Sequence, residues 1–427
     1  MDRDQKRNGF WVLLLGLVCF IALIFPNARG AQSEQMLLVT SLDEPVTYPH
    51  VVRMLTPARD FKDLFSRWVI YGDYHYGYPF YFFSALAVLP VRLIYGGQFT
   101  NYTAVNLLLL RQLISVLPML AAIIFWVYEQ TRFRSLWQTV GLTIFMFMVP
   151  AIVRNHIQWW HPDALSVLSV TLVFVFLRRD DFRFGRYFLL AAVACGVAVG
   201  IKLAGVFFAL TIPYYLLTGI LQKKLTLRQV MGKALLFAGV ALLALVVSNP
   251  FLYNAGARQE LIRIQTEKTD VLGSGYEDDS PYYQKGPAFW NWTLSTWYGH
   301  PLFLAFLGLS LVAGCLWGPN RQLNRFVLTY ILPQAVYLLW FVAVKPDHYW
   351  LPVMVPFFST ALTLPRALAE KWLPAISGRP QLQRILWAIT VAILVAQGVN
   401  FLLRPYSGVA AQFQNGLRIE EMFSQTW

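Results

Sequence analysis

The sequence predicts an all-α polytopic membrane protein, and three observations carry this prediction. Of the 427 residues, 57% are hydrophobic and only 13% are charged, too few charges to cover a soluble protein of this length. Apolar runs recur from one end of the chain to the other, so the membrane-embedded part is the fold and not an anchor. The three cysteines lie inside apolar runs without CxxC spacing, which predicts neither a disulfide framework nor a cysteine metal site.

Eleven apolar segments are predicted to span the membrane, and several must extend into the adjoining loops because a spanning helix needs roughly 20 residues. They are 10–25, 105–128, 136–153, 164–177, 187–201, 203–221, 234–249, 300–317, 326–343, 350–364 and 385–403. Segment 78–97 is also apolar, but a simple crossing there would invert every later loop. It is therefore interfacial, re-entrant, or paired with part of 105–128. We expect one domain, residues 1–427, with about 11–13 transmembrane helices.

The net charge of +13 is concentrated in alternate connections. Six of them hold 19 of the 35 Lys and Arg but only 6 of the 22 Asp and Glu. They are MDRDQKRNG, EQTRFRS, RRDDFRFGR, QKKLTLRQVMGK, GPNRQLNR and residues 365–384. The positive-inside rule makes these connections and the amino terminus cytoplasmic, and it removes nucleic acid as the reason for the charge. The first apolar run also resembles a secretory signal, although its length favours a retained helix.

The opposite, outer face collects the residues that can do chemistry. It holds the long first loop 26–77, the large loop 250–299 and the tail 404–427, with two short loops between spans. Five of the six histidines are in these outer loops, and the sixth is at the mouth of a span. The candidate site residues are Asp43, Glu44, His75, Arg154, His161, Asp163, Lys202, Lys345, His348 and Tyr349.

Most of these residue types also have a purely structural explanation. Trp and Tyr at span ends usually form an interfacial belt, and the acidic EDDS of residues 277–280 is typical of a solvated loop tip. Arg111 lies near the outer end of its span, where a long cation can snorkel to the interface. Lys202 is different, because a lysine at a membrane-depth bend needs a counter-ion, water or substrate.

Four motifs occur in the order seen in GT-C-fold glycosyltransferases. They are DEPVTY after the first helix, HPDALSVLSVTLVFVFL, GVAVGIKLAGVFFAL and KPDHYWLPVMVPFFSTAL. Over roughly residues 10–365 the chain resembles the protein O-mannosyltransferase and lipid A aminoarabinose-transferase branch. The resemblance implies a GT-C-like bundle whose long first outer loop carries interfacial helices. YHYGYP replaces the more usual proline-rich stretch, which leaves the sugar and the acceptor open.

The resemblance also implies an activity. Such enzymes transfer a hexosyl or pentosyl group, with inversion, from a polyprenyl-phosphate donor to a hydroxyl of a glycolipid, glycan or protein on the periplasmic or lumenal face. Asp43 corresponds to the catalytic acid of the first outer loop, and Asp163 to the acid that assists near the donor or a metal. Lys202, with Lys345, Arg154 or His348 as helpers, would hold the lipid phosphate. Here we expect a bacterial inner membrane.

The part played by a metal is left open by the sequence. Glu44 could orient the acceptor or share a divalent cation, Mg²⁺ or Mn²⁺, and Asp43, Asp163 and His161 are the candidate ligands. A phosphate held by lysine does not require one. The rival from another class is a transporter or lipid flippase, which predicts a repeat between halves and charges at the midplane. A non-catalytic scaffold on the same fold is a further alternative.

Overall fold

The computed structural model describes residues 2–32, 37, 43–157, 159–276, 283–372, 380–403 and 405–424. Within these residues the chain is helical and contains no strand, which confirms the all-α class. The acidic EDDS segment, residues 373–379 of the last basic connection and the end of the tail lie outside the described residues.

The first half of the chain carries ten α-helices among the described residues. They are α1 Arg3–Arg29, α2 Glu44–Leu55, α3 Phe61–Val69, α4 Tyr78–Tyr95, α5 Thr103–Leu110, α6 Leu117–Thr131, α7 Leu136–Phe147, α8 Pro150–Arg154, α9 Asp163–Asp180 and α10 Arg186–Lys202. A π-helical stretch, Arg111–Val116, joins α5 to α6.

The second half continues in the same way. Its helices are α11 Thr211–Leu221, α12 Leu227–Val247, α13 Ala255–Ser274, α14 Asn291–Trp297, α15 Pro301–Leu316, α16 Arg321–Phe341, α17 Leu351–Phe358, α18 Thr363–Trp372, α19 Pro380–Leu403 and α20 Pro405–Ser424. The large outer loop of the sequence prediction therefore contains a 20-residue helix, α13, and the tail forms α20.

Six helical segments in the described residues are long and apolar enough to cross a membrane, as expected of an integral membrane protein. A seventh is added if the pair Pro287–Trp297 and Pro301–Leu316, bent by 94°, counts as one span. The predicted spans all fall on helices, but some of these helices have fewer than the 18 residues required of a candidate span. Examples are α7 with 12 residues and α10 with 17. Others, such as α9, end in charged residues.

Segment 78–97, whose path the sequence left open, forms the single helix α4. The chain turns at Gly96, whose φ of +59° suits a residue without a side chain, and α4 then packs against α5. This hairpin agrees with the alternative in which the segment pairs with part of 105–128. The two helices of the first loop, α2 and α3, pack on each other, and α3 exposes Phe61 and Phe65 as an interfacial helix would.

Polar side chains collect at two opposite ends of the bundle. Along α9, Asp163 at the first residue and Arg178 near the last are roughly 22 Å apart by the helical rise. At the far end Arg178 donates to Asn320 Oδ1 at 2.7 Å, and Asn8 donates to the Phe133 carbonyl at 2.8 Å. Arg178 also donates to the Glu129 carbonyl at 3.0 Å, in the same connection as Phe133, so these contacts bring four of the predicted cytoplasmic connections together at the end remote from Asp163.

The buried apolar residues form two clusters. The larger one runs through the bundle from α1 to α19 and includes Trp126, Phe174 and Tyr330. The smaller one joins α2, α4 and α5 to α13, with Tyr71 and Trp160 among its members. The first outer loop therefore has its own packed core, which holds its backbone in place beside the end of α9.

Candidate active site

The segment before α9 is held by two backbone contacts. The N–H of His161 donates to Ser115 Oγ at 3.2 Å, and the N–H of Trp160 donates to Glu44 Oε1 at 2.6 Å. Ser115 belongs to the π-helical stretch, whose widened turn redirects side chains and often occurs at functional sites. This arrangement could not be predicted from the sequence, because no pattern in residues 111–116 indicates a π-helix.

Glu44 is fully buried in an ion pair with Arg111. Arg111 donates from Nη2 to Oε2 at 2.5 Å and from Nε to Oε1 at 2.9 Å, and both side chains are 0% exposed. Arg111 also donates to the Asn27 carbonyl at 2.8 Å, so it does not snorkel. The pair ties α1, α2 and the π-helical stretch together, with Trp160 attached through its N–H.

Asp163, the first residue of α9, contacts a cation and an imidazole. Lys202 Nζ lies 2.5 Å from Asp163 Oδ1, and His161 Nδ1 lies 2.5 Å from Asp163 Oδ2. The second contact is short but misaligned for a hydrogen bond, and neither atom has another hydrogen-bond partner among the described residues. All three side chains are largely buried, so the charges act in a low-dielectric environment.

Tyr76 contacts the imidazole of His161 on the side opposite Asp163. Its hydroxyl lies 2.8 Å from His161 Nε2. Because a carboxylate accepts only, the tautomer with the proton on His161 Nδ1 suits the contact with Asp163 and leaves Nε2 to accept from Tyr76. Burial raises the pKa of Tyr76 well above its usual value, and the charges of Asp43 and Asp163 act in the same direction. Tyr76 therefore remains a donor.

A close backbone contact places Tyr76 beside Lys202. The N–H of Gly77 donates to the Ile201 carbonyl at 3.2 Å, and a Cβ on Gly77 would lie 1.5 Å from the carbonyl oxygen of Gly200. Only glycine permits this approach between the first loop and the end of α10. The sequence YHYGYP thus brings Tyr76 and Lys202 to one place.

The short loop before α17 completes the cluster. The ring of His348 lies 5.1 Å from that of His161, and Trp159 stacks on His161 at 4.3 Å. Lys202 Nζ lies 5.2 Å from the ring centre of Tyr349. Loops far apart in the sequence therefore meet at the amino-terminal end of α9.

Asp43 lies at the amino-terminal end of α2, partly exposed and without a side-chain cap bond. Its carboxylate is near the cluster, since its charge influences the pKa values of several members. Burial lowers the pKa of His161, and the charges of Asp163 and Asp43 oppose that effect. Asp43 also contributes to the raised pKa of Tyr76, after burial. Among the described residues Asp43 has no ion-pair partner.

Three predicted site residues lie elsewhere. Arg154 pairs with Asp347 and stacks on the Trp297 ring at 4.5 Å. Lys345 donates to backbone carbonyls, including Gln284 at 2.8 Å, and burial lowers its pKa to about 8. His75 is exposed at the rim, with Nδ1 2.7 Å from an oxygen of Asp73.

One cation at the cluster was missed by the sequence analysis. Lys268 of α13 places Nζ 5.3 Å from the ring centre of Tyr76. Burial and the charge of Lys202 lower the pKa of Lys268 to about 8, against the opposing charges of Asp163, Asp73 and Asp43. The stretch ELIRIQTEKTDVL has helical spacing, but no sequence signal indicates that its lysine faces the first loop.

A metal could be held by His161, Asp163 and His348, whose ligand atoms all lie within 4.8 Å of one another. The misaligned pair of His161 Nδ1 and Asp163 Oδ2 would suit a shared cation. Lys202, however, already balances the charge of Asp163. The ligand set predicted from the sequence was Asp43, Asp163 and His161. The group in the structure contains His348 in place of Asp43.

No family model matches the chain, and no curated protein matches it. A solved structure, ArnT from Cupriavidus metallidurans bound to undecaprenyl phosphate, is similar over 95% of this chain and 73% of that chain. The identity is 13% and the TM-score 0.49, so this likeness by itself assigns neither a family nor a function to the protein.

The arrangement has three chemical capacities. A partly exposed carboxylate without an ion-pair partner can accept a proton. Neighbouring lysines can stabilise a negative charge that develops beside it. Buried Tyr and His side chains can orient hydroxyl groups by hydrogen bonds.

Proposed function

We propose that this protein is a membrane glycosyltransferase that uses a polyprenyl-phosphate-linked sugar and a hydroxyl acceptor. The observation that carries the proposal is the meeting of Asp43, Asp163 and Lys202 with Tyr76 and His161 at one end of a bundle of apolar helices. A lipid-borne substrate would reach this end from the bilayer. The order of the four motifs, which resembles that of GT-C-fold enzymes, supports the same activity.

In this proposal Asp43 is the general base. Its carboxylate takes the proton of the acceptor hydroxyl, the acceptor oxygen attacks the anomeric carbon, and the bond from that carbon to the phosphate oxygen breaks. The electron pair leaves with the polyprenyl phosphate, and because the acceptor attacks from the face opposite this leaving group, the configuration inverts. A positioned base of this kind contributes typically about 10²–10⁴-fold.

Asp163 has a supporting part in the same scheme. It fixes the ammonium of Lys202 and the imidazole of His161, and through His161 it orients the Tyr76 hydroxyl. Lys202 then lies against the phosphate and stabilises its charge. Glu44 acts at a distance, since its pair with Arg111 holds the N–H of Trp160 next to His161.

The proposed face is periplasmic or extracellular, with the basic connections in the cytoplasm, and the proposed compartment is a bacterial inner membrane. Four basic connections share the end remote from Asp163, as this orientation requires. The fold that we propose is GT-C-like, in one domain over residues 1–427. The site chemistry is gathered at one end, whereas a transporter would need it at the midplane.

The test is transfer by the purified protein in proteoliposomes. Polyprenyl-phosphate donors carrying different hexoses and pentoses are supplied with a membrane extract, and release of polyprenyl phosphate is followed together with the glycosylated product. Mass spectrometry of glycolipids and glycoproteins from a deletion strain identifies the acceptor. A protein that is inactive with every donor but moves a lipid or solute across the bilayer would instead be a transporter.

A further inference from the structure

We propose that Lys268 of α13 binds the phosphate of the lipid-linked donor, and that α13 is therefore part of the substrate-binding site. This inference rests on the proposed function and deepens it. It assigns the principal phosphate contact to a residue of the large outer loop instead of to Lys202 alone.

The two lysines at the cluster differ in whether a carboxylate of the protein already pairs with them. Lys202 lies 2.5 Å from Asp163 and is committed to that carboxylate. Lys268 has no carboxylate within 4.0 Å among the described residues, and its polar contact is a long one, 3.4 Å from Nζ to the His75 carbonyl. An ammonium without a carboxylate partner attracts the anionic phosphate of the donor more strongly than one that is already paired.

The position of Lys268 is fixed by the fold. Gln265, three residues earlier and on the same side of α13, donates to the Tyr74 carbonyl at 3.1 Å. Ile264 and Ala257 are buried in the smaller apolar cluster, so α13 is packed on the first loop. The helix therefore presents Lys268 to Tyr76, whose hydroxyl contacts His161.

The other end of α13 is tied to the last loop of the site. The N–H of Ala343 donates to the Leu272 carbonyl at 2.6 Å, five residues before His348 in the chain. Thus α13 connects the loop of Tyr76 to the loop of His348. Lys268 lies between these attachments, where the charges of Lys202, Asp163 and Asp43 all influence its pKa.

The Lys268 ammonium is also kept from its usual hydration. Lys268 is partly buried, and burial and the charge of Lys202 lower its pKa to about 8, so the ammonium lacks part of its usual hydration. An incoming phosphate would supply the missing counter-charge.

The test measures binding and does not require turnover. The purified protein is titrated with polyprenyl monophosphate and with the corresponding polyprenol, which has the same chain but no phosphate. Losing one ionic hydrogen bond corresponds to about 10- to 100-fold. Lys268→Met should therefore weaken binding of the phosphate by this factor and leave polyprenol binding unchanged, whereas Lys268→Arg should retain the preference.

Lys285→Met is the matched control, because it removes the same charge from the same outer loop at an exposed position. It should bind polyprenyl monophosphate as the wild type does. If Lys268→Met binds it equally well, the inference about Lys268 is wrong while the proposed donor class stands. If the wild-type protein shows no preference for the phosphate over polyprenol, both the donor class and the inference are wrong.

Discussion

The ammonium of Lys202 lies 2.5 Å from Oδ1 of Asp163, where the carboxyl end of one helix meets the amino end of another. The two residues are 39 positions apart in the chain. Because Asp163 is thereby neutralised, it is poorly placed to act as a base. Asp43, which has no ion-pair partner in the described structure, is available to take a proton.

The first prediction concerns Asp43→Asn. An amide cannot accept the acceptor's proton, so transfer should fall by about 10²–10⁴-fold. Folding should be unchanged, because Asp43 makes no side-chain cap bond and is partly exposed. The rate of transfer from a polyprenyl-phosphate donor measures the effect. Asp270→Asn, an exposed carboxylate of α13, is the control, and full turnover by Asp43→Asn would transfer the role of base to another residue.

The second prediction separates stability from chemistry at Glu44. Glu44→Gln leaves the buried guanidinium of Arg111 without its counter-charge and should lower the free energy of unfolding by about 3–5 kcal/mol. Unfolding in a denaturing detergent, followed by loss of helical signal, gives this quantity. Glu267→Gln breaks an exposed contact of Arg263, which keeps its pair with Glu260, and should leave the free energy of unfolding nearly unchanged. Equal stability of the two variants would contradict the structural role of Glu44.

The third prediction is that Asp163 and Lys202 are energetically coupled. Asp163→Asn or Lys202→Met alone leaves one buried charge unpaired, whereas the double variant leaves none. We therefore expect a coupling energy of about 0.5–3 kcal/mol in a double-mutant cycle on unfolding. Additive effects of the two substitutions would show that the contact does not stabilise the protein.

The fourth prediction is a pH dependence of donor binding. Lys268, with a pKa of about 8, loses its charge as the pH rises through that value, while Lys202 keeps its contact with Asp163. Affinity for polyprenyl monophosphate should be highest at about pH 7, where the phosphate is largely dianionic and Lys268 is charged, and should fall between about pH 7 and 9. Lys268→Arg, which keeps its charge, should show a flat profile over this interval. The same decline in that variant would assign the titration to another group.

The fifth prediction concerns orientation. Single cysteines at Lys224 and Lys285 are introduced into a variant in which the three native cysteines are replaced, and intact cells are treated with an impermeant thiol reagent. Both positions are exposed. The charge asymmetry predicts labelling at 285 and protection at 224. The reverse pattern would place the cluster on the cytoplasmic side.

The grouping of several candidate residues could be predicted from the sequence, because unpaired polar groups are energetically costly in a membrane. Lys202 stood out as a lysine at a membrane-depth bend, and Asp163, His161 and His348 as ionisable groups in loops too short to leave the surface. The structure places all four together. Glu44 was also singled out, but no sequence pattern indicated that Arg111, 67 residues later, is its partner.

Hydropathy and charge distribution alone determined the all-α class, the helical nature of the eleven apolar segments and the grouping of the basic connections. These follow from local rules, because a backbone in lipid must satisfy its own hydrogen bonds. Only the tertiary structure decided that Tyr76 touches His161, that Gly77 lies against Gly200, and that Lys268 reaches the cluster from α13. Such contacts depend on the packing of distant helices, which the periodicity of a single segment does not encode.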